Sequence, residues 1–145
     1  MARCKARDMC AAHDAPVVSV LAVDDHAAFL GAMRAVVGAT SGFEVVAEAQ
    51  TGEDALAVAA RCEPDLCLVD VHLSGIDGCE LTRRLKIIDP DAVVFLMSSD
   101  DDPALQDASA SCGAAVFMAK TRFGRHALAS AWARFGRPTG RHRDR

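Results

Sequence analysis

The sequence predicts one α/β domain with a doubly wound, five-stranded parallel sheet that carries helices on both faces. Strand signals and helix signals alternate five times along the 145 residues, which is the pattern of this architecture. Four short apolar runs each end at polar residues, namely Asp24-Asp25, Asp70, Ser98 and Lys120. Because parallel strands present their carboxyl ends at one edge of the sheet, we expect these side chains to converge there.

Two strand signals that flank a helix predict the first part of the sheet. Val17–Val23 is an apolar run, and the helix Ala27–Val37 after it has apolar residues at helical spacing. Phe43–Ala49 is expected to form the second strand. A second helix is expected to begin after the capping residue Thr51 and to continue through Arg61.

Two central strands are predicted because their sequences are apolar throughout. Leu66–Val69 and Val93–Met97 lack polar alternation, as expected of strands that helices cover on both faces. Helices are expected over Glu80–Ile88 and Ala104–Ser111, and Ala114–Ala119 is expected to form the last strand.

The last helix is predicted over about Arg122–Phe135. Its apolar residues recur every four positions and form a stripe that should lie on the sheet: Phe123, Ala127, Ala131 and Phe135, widened by Leu128 and Trp132. We therefore expect a flexible segment over residues 1–15, a folded domain over 16–135 and a basic disordered tail over 136–145.

Length, composition and charge agree with one folded domain. A chain with 51% hydrophobic residues can bury a core without cross-links. No apolar stretch reaches the roughly 18 residues of a membrane span, and the start of the chain lacks the apolar core of a secretory signal. Residues 1–119 carry 8 basic and 19 acidic side chains, which argues against specific nucleic-acid binding. We expect a cytoplasmic protein with no membrane partner.

The cysteines are expected to be reduced and mostly inert. Four of them lie in apolar or helical segments: Cys62, Cys67, Cys79 and Cys112. Cys4, Cys10 and His13 match no usual zinc spacing, so we prefer a loose segment there to a metal site.

The polar residues at the strand ends are suited to a divalent cation and a phosphoryl group. Asp24, Asp25 and Asp70 would repel one another unless a cation lay between them, and Mg²⁺ prefers such oxygen ligands. A carboxylate can also act as the nucleophile that accepts a phosphoryl group. Each residue alone has a plainer interpretation, since an isolated Asp or Ser after a strand more often caps a turn.

Four motifs in this order resemble the receiver domain of response regulators in bacterial two-component signalling, over about Val17–Phe135. The motifs are Val23-Asp24-Asp25-His26, Asp70-Val71-His72-Leu73-Ser74-Gly75-Ile76-Asp77-Gly78, Met97-Ser98-Ser99 and Gly113-Ala114-Ala115-Val116-Phe117-Met118-Ala119-Lys120. The resemblance implies a flavodoxin-like fold with strand order 2-1-3-4-5, counted along the chain.

The resemblance also implies a metal site and a phosphoacceptor. Asp70 is the expected phosphoacceptor, and Asp25 and Asp70 are expected to bind Mg²⁺ directly, together with the backbone carbonyl of His72. Asp24 is expected to bind mainly through water. The side chain of His72 is expected to point toward solvent, and His26 is expected to be structural.

The remaining motif residues are expected to form the switch. By resemblance, Lys120 pairs with the phosphoryl charge and Ser98 donates a hydrogen bond to a phosphoryl oxygen. Ser98 and Phe117 then change their packing together. Two positions depart from the common pattern, which has proline at both: Thr121 follows Lys120, so we expect a trans peptide bond there, and Ser74 stands four residues after Asp70.

The implied function is that of a single-domain response regulator rather than a classical enzyme. The protein would take a phosphoryl group from a histidine kinase or a histidine phosphotransfer protein and catalyse only its own phosphorylation and dephosphorylation. It would signal through the face of the fourth helix, the last strand and the fifth helix, to a downstream protein or a homodimer.

Three alternatives stay open. The first alternative is a fragment of a DNA-binding response regulator, and the second is a receiver that binds partners without phosphorylation. The third is a small aspartyl-phosphate phosphohydrolase. The last needs Asp-x-Asp after the first strand, which Asp24-Asp25-His26 does not supply. There is also no glycine-rich phosphate loop after that strand.

Overall fold

The strands and helices of this computed structural model alternate as the sequence predicts. The structure describes residues 3–4 (backbone only), 16–99 and 103–137. In chain order the strands are β1 (Arg3–Cys4), β2 (Val18–Val23), β3 (Phe43–Ala49), β4 (Leu66–Asp70), β5 (Val93–Ser98) and β6 (Val116–Ala119). The helices are α1 (Ala27–Gly38), α2 (Gly52–Cys62), α3 (Gly78–Ile88), α4 (Pro103–Ser111) and α5 (Arg125–Phe135).

Five parallel strands, β2 to β6, form the sheet in the predicted order. The full order is β1-β3-β2-β4-β5-β6, which is 2-1-3-4-5 for the parallel strands. The direction of strand order reverses at β2, so the crevice expected of this fold lies at the carboxyl ends of β2 and β4.

The short strand β1 is an addition that the sequence did not predict. It pairs antiparallel with the edge strand β3, with Arg3 opposite Glu48. Two residues carry no periodicity, so no sequence pattern could reveal this strand. It lies within the segment 1–15 that was expected to be flexible, and the other residues of that segment lie outside the described residues.

Apolar side chains fill both faces of the sheet. Alternate residues of β4 point to opposite faces, so Leu66 and Leu68 pack with α1 and α5, whereas Cys67 and Val69 pack with α2 and α3. Every residue of β4 and β5 is buried. This explains why both sequences are apolar throughout.

Side-chain caps fix the starts of two helices near the site. The Thr51 hydroxyl accepts a hydrogen bond from the Asp54 N–H at 3.1 Å, which confirms the predicted cap of α2. Asp77 caps α3 by accepting from the Glu80 N–H at 2.8 Å. The loop that follows Asp70 therefore ends at the capping residue Asp77.

The start of the last helix was predicted wrongly. Residues Lys120–Arg122 form a single 3₁₀ turn, Gly124 is extended, and α5 begins at Arg125 rather than Arg122. Phe123 lies before the helix and packs on Phe29, with ring centroids 6.1 Å apart. Phe123 matched the four-residue repeat because it is apolar, but its apolar contact is made from outside the helix.

The chain after α5 contacts the amino ends of the strands. Arg137 donates to Asp65 across 3.5 Å, and the two side chains are 11% and 1% exposed. Asp65 also accepts from the N–H and the hydroxyl of Ser19, both at 3.0 Å. Arg137, which was assigned to the disordered tail, is thus held against the domain, and residues 138–145 lie outside the described residues.

The cysteines differ from the prediction at one position. Cys67, Cys79 and Cys112 are free thiols, as expected. Cys62 is disulfide-bonded, with a partner outside the side chains that the structure describes. The prediction of a reduced Cys62 was wrong because it considered only whether the core needs cross-links.

Within the described part of the chain, no helix has the length and apolarity of a membrane span.

Candidate functional site

The predicted polar residues meet at the carboxyl edge of the sheet. Asp24 directly follows β2, Asp70 ends β4, Ser98 ends β5 and Lys120 directly follows β6. Asp24, Asp70 and Ser98 are buried at 0%, 2% and 0% exposure. The fold thus concentrates acidic groups and one ammonium in the crevice at the strand-order reversal.

Lys120 contacts two of the carboxylates. Its Nζ donates to Asp24 Oδ2 at 2.6 Å and lies 3.5 Å from Asp70 Oδ1. The same ammonium lies 4.5 Å from the centre of the Phe29 ring, within the range of a cation–π contact. Burying a carboxylate without a partner costs free energy, and the ion pair with Lys120 offsets that cost at Asp24.

Phe29 is a site residue that sequence reasoning missed. It was counted only among the apolar residues of the first helix. Its ring contacts both Lys120 and Phe123, so it adds an aromatic contact to the ammonium that the carboxylates also bind. An aromatic residue on an apolar helix face carries no signal that separates this contact from ordinary packing.

Asp25 lies at the rim of the crevice, a quarter exposed. Its Oδ2 accepts from the Ser74 hydroxyl at 3.0 Å. Its Oδ1 is buried and accepts no hydrogen bond from the described residues, although His26 Nδ1 lies 3.0 Å away. Ser74 was noticed in the sequence only as a departure from proline, and its contact with Asp25 was not predicted.

Asp24 also has the plainer role of holding a turn. Its Oδ1 accepts from the backbone N–H of His26 at 2.8 Å and lies 3.2 Å from the His26 ring nitrogen Nδ1. Asp24 is therefore held by the turn on one oxygen and by Lys120 on the other.

Burial and a neighbouring carboxylate raise the pKa of Asp70. Desolvation is the main cause and the charge of Asp24 is the second. Lys120 and the backbone N–H of His72, 3.3 Å from Oδ1, act in the opposite direction. A carboxylate that ionises reluctantly gains more than usual from a nearby cation.

These residues fit a hard divalent cation. Asp24, Asp25, His26 and Asp70 each offer one ligand atom, and these atoms lie within 4.8 Å of one another. The buried Asp25 Oδ1, which accepts no hydrogen bond from the residues that the structure describes, is one oxygen that such an ion would satisfy. His26 was not predicted to belong to this group. The side chain of His72 is exposed, as expected, and ligation by its carbonyl stays a prediction.

The two expected switch residues lie on neighbouring strands. Ser98 ends β5 opposite Ala119, and Phe117 lies in β6 opposite Leu96. Phe117 is partly buried and packs against the apolar cluster on the α2 and α3 side. The described residues contain no cis peptide bond, so the bond after Lys120 is trans, as predicted. The switch motion itself stays a prediction.

The fold and the site define a flavodoxin-like α/β domain with an acidic crevice at the point where strand order reverses. Residues 20–132 match the response regulator receiver domain family, and the chain belongs to that family.

Named relatives agree with this membership. The response regulator GacA of Pseudomonas aeruginosa is 34% identical over 104 residues, which are 72% of this chain and 49% of GacA. The transcriptional regulatory protein DegU of Brevibacillus brevis is 29% identical over 103 residues, 71% of this chain and 44% of DegU. This chain therefore spans about half the length of these relatives.

A solved structure has the same fold. The signal receiver domain of a NarL response regulator from Mycobacterium tuberculosis superimposes with a TM-score of 0.74 at 28% identity. The match covers 83% of this chain and 100% of that structure.

Proposed function

We propose that this receiver accepts a phosphoryl group on Asp70, with Mg²⁺, from a histidine kinase or a histidine phosphotransfer protein. The observation that carries the proposal is the position of the Lys120 ammonium, 2.6 Å from Asp24 and 3.5 Å from Asp70. An ammonium between a buried carboxylate and the expected acceptor can move to a new anion without leaving the crevice. Family membership supports the kinase partner and a cytoplasmic location.

The reaction joins an Asp70 carboxylate oxygen to phosphorus. The bond from phosphorus to the donor nitrogen breaks, and the electron pair leaves with the donor histidine. A bound Mg²⁺ would neutralise charge that develops on the phosphoryl oxygens. Lys120 would pair with one phosphoryl oxygen, and the buried hydroxyl of Ser98 would donate to another.

Labelling with acetyl phosphate and Mg²⁺ tests the acceptor. Intact-mass analysis should show one acid-labile phosphoryl group in the wild type and none in Asp70→Asn. Asp77→Asn is the matched control, because it changes a nearby Asp outside the cluster and asparagine keeps a helix cap. Equal labelling of Asp70→Asn and the wild type would refute the assignment.

The proposed output is a change at the surface formed by α4, β6 and α5, read by a protein partner or a second copy of the chain. A second candidate is the receiver part of a longer transcription regulator. It is favoured by relatives of about twice this length, one of which is named a transcriptional regulatory protein. A sequence-specific DNA footprint at physiological salt would favour the second candidate.

A further inference from the structure

Two free thiols lie together between α3 and α4, away from the acidic crevice. Cys79 is the second residue of α3 and is partly buried, whereas Cys112 directly follows α4 and is buried. The Cys79 thiol lies 3.7 Å from the carbonyl oxygen of Ala108. The Cys112 N–H donates to that same oxygen at 3.1 Å. Both thiols pack in the same apolar cluster.

The two thiols approach neighbouring carbonyls at the end of α4: the Cys112 thiol lies 3.3 Å from the Ser109 oxygen, and the Cys79 thiol lies beside the Ala108 oxygen. Burial raises the pKa of Cys79 to about 12, and the contact with the Cys112 thiol is the second cause of that increase. Because the thiolate is the reactive form, the raised pKa of Cys79 slows its oxidation near pH 7, and this thiol stays reduced unless an oxidant persists. Cys67 differs from Cys79 in exposure rather than in pKa: it is buried, and burial followed by the charge of Asp89 raises its pKa to about 12 as well.

We propose that Cys79 and Cys112 form a modification site, at which a low-molecular-weight disulfide oxidises the pair to a disulfide that links α3 to α4. Cys79 reacts first because it is the more exposed of the two. Its thiolate attacks one sulfur of the small disulfide, and the other half leaves as a thiolate. The Cys112 thiolate then attacks the Cys79 sulfur, and the second half leaves. The pair loses two electrons and two protons, and the oxidant becomes two small thiols.

The link would act on a weakly anchored helix. The only buried residue among the nine of α4 is Ser109, whereas α2 and α3 bury several residues each. Few apolar contacts therefore hold α4, and a covalent bond near its end would restrict it strongly. This consequence rests on the proposed function, in which α4 forms part of the output surface. The disulfide itself does not.

Mapping of disulfides in the full chain tests the site. After incubation with oxidised glutathione and alkylation of the remaining thiols, proteolysis and mass spectrometry should give a peptide linked through Cys79 and Cys112. Dithiothreitol should reverse the link, and Cys79→Ser should abolish it. Cys67→Ala is the control and should retain it. Because Cys62 is already disulfide-bonded, linked peptides are scored rather than total thiols.

Two results would overturn the proposal. The first is a glutathione adduct on Cys79 that never passes to Cys112, and the second is Cys112 that stays fully alkylatable in the oxidised wild type. Neither result depends on a variant that folds.

A second measurement tests the consequence. Amide hydrogen exchange in α4 should slow at least about tenfold in the oxidised protein, while acetyl phosphate labels Asp70 to the same extent as in the reduced protein. Unchanged exchange in α4 would refute the restriction. If reduced protein takes no label at all, the proposed function fails, but the disulfide map still decides the modification site.

Discussion

Asp70 is a carboxylate whose surroundings disfavour its own charge. Its pKa is raised, mainly by burial and then by Asp24. The folded state therefore holds the Asp70 proton more tightly than the unfolded state does. The free energy of unfolding therefore falls as pH rises through the raised pKa. Above that pKa, the whole cost of burying the charged Asp70 is present.

We expect Asp70→Asn to raise the melting temperature of the metal-free protein at pH 7, because the variant removes this cost. The gain should be about 3 °C for each kcal/mol recovered, and it should shrink as pH falls through the raised pKa. Thermal denaturation in EDTA at several pH values measures it. Asp107→Asn, an exposed carboxylate on α4, should change little. A lower melting temperature for Asp70→Asn at pH 7 would contradict this account.

Asp25 is the candidate ligand with the most accessible carboxylate. Its buried Oδ1 accepts no hydrogen bond from the described residues, so its removal should cost the cation a ligand and the protein little. We expect Asp25→Ala to weaken Mg²⁺ binding by more than about tenfold. The variant should also partly relieve carboxylate repulsion in the metal-free protein. Calorimetry or NMR titration is the suitable probe, and Asp107→Ala is the control. Unchanged affinity would count against the site.

At the scale of elements, Lys120 joins the acidic crevice to the end of β6. Its ammonium contacts Asp24 and Asp70, and its backbone follows the strand that carries Phe117. We expect Lys120→Ala to accept some phosphoryl group but to transmit the change poorly. Phosphorylation-induced NMR shifts should shrink around Ser98 and Phe117.

A second lysine supplies the control for this experiment. Lys86 donates to the Ala92 carbonyl at 2.9 Å, and among the described ion pairs it is Lys120, not Lys86, that contacts Asp24 and Asp70. Lys86→Ala should therefore keep full-sized shifts at Ser98 and Phe117. A full-sized response in Lys120→Ala as well would argue against its role.

Sequence patterns predicted the elements where burial follows the period of a strand or a helix. β4 and β5 were found because both faces are covered, and Asp24, Asp70 and Lys120 were found because strand ends converge. The start of α5 was missed because Gly124 is extended and Phe123 packs before the helix. The contacts Ser74–Asp25 and Phe29–Lys120 join residues far apart in sequence. No local pattern encodes such contacts.

At the scale of the whole molecule, Arg137 connects the end of the described chain to the amino ends of the strands. Removing it would leave the buried Asp65 carboxylate without its ion pair. We expect Arg137→Ala to lower the free energy of unfolding by about 1 to 3 kcal/mol. Urea denaturation measures this. Arg134→Ala, an exposed arginine of the preceding helix, should stay within about 0.5 kcal/mol of the wild type. Equal effects of the two variants would contradict the anchoring role.

The basic residues after Arg137 are not expected to take part in phosphorylation. Truncation after Gly136 and truncation after Arg137 should both leave labelling of Asp70 intact, and only the former should lose stability. DNA binding by the full chain should be non-specific and no tighter than about 10⁻⁶ M at physiological salt. Gel-shift titration with unrelated duplexes checks this, and a sequence-specific complex at that salt would refute it.

The ion pair of Arg137 and Asp65 lies at the opposite end of β4 from the candidate phosphoacceptor Asp70. Asp65 precedes β4 and Asp70 ends it, so the anchor and the candidate acceptor lie about 17 Å apart along one buried strand. A phosphodonor would approach the Asp70 end of the strand, whereas a segment or partner joined after Arg137 would start from the Asp65 end. The donor and that segment would therefore meet the domain at opposite ends of β4.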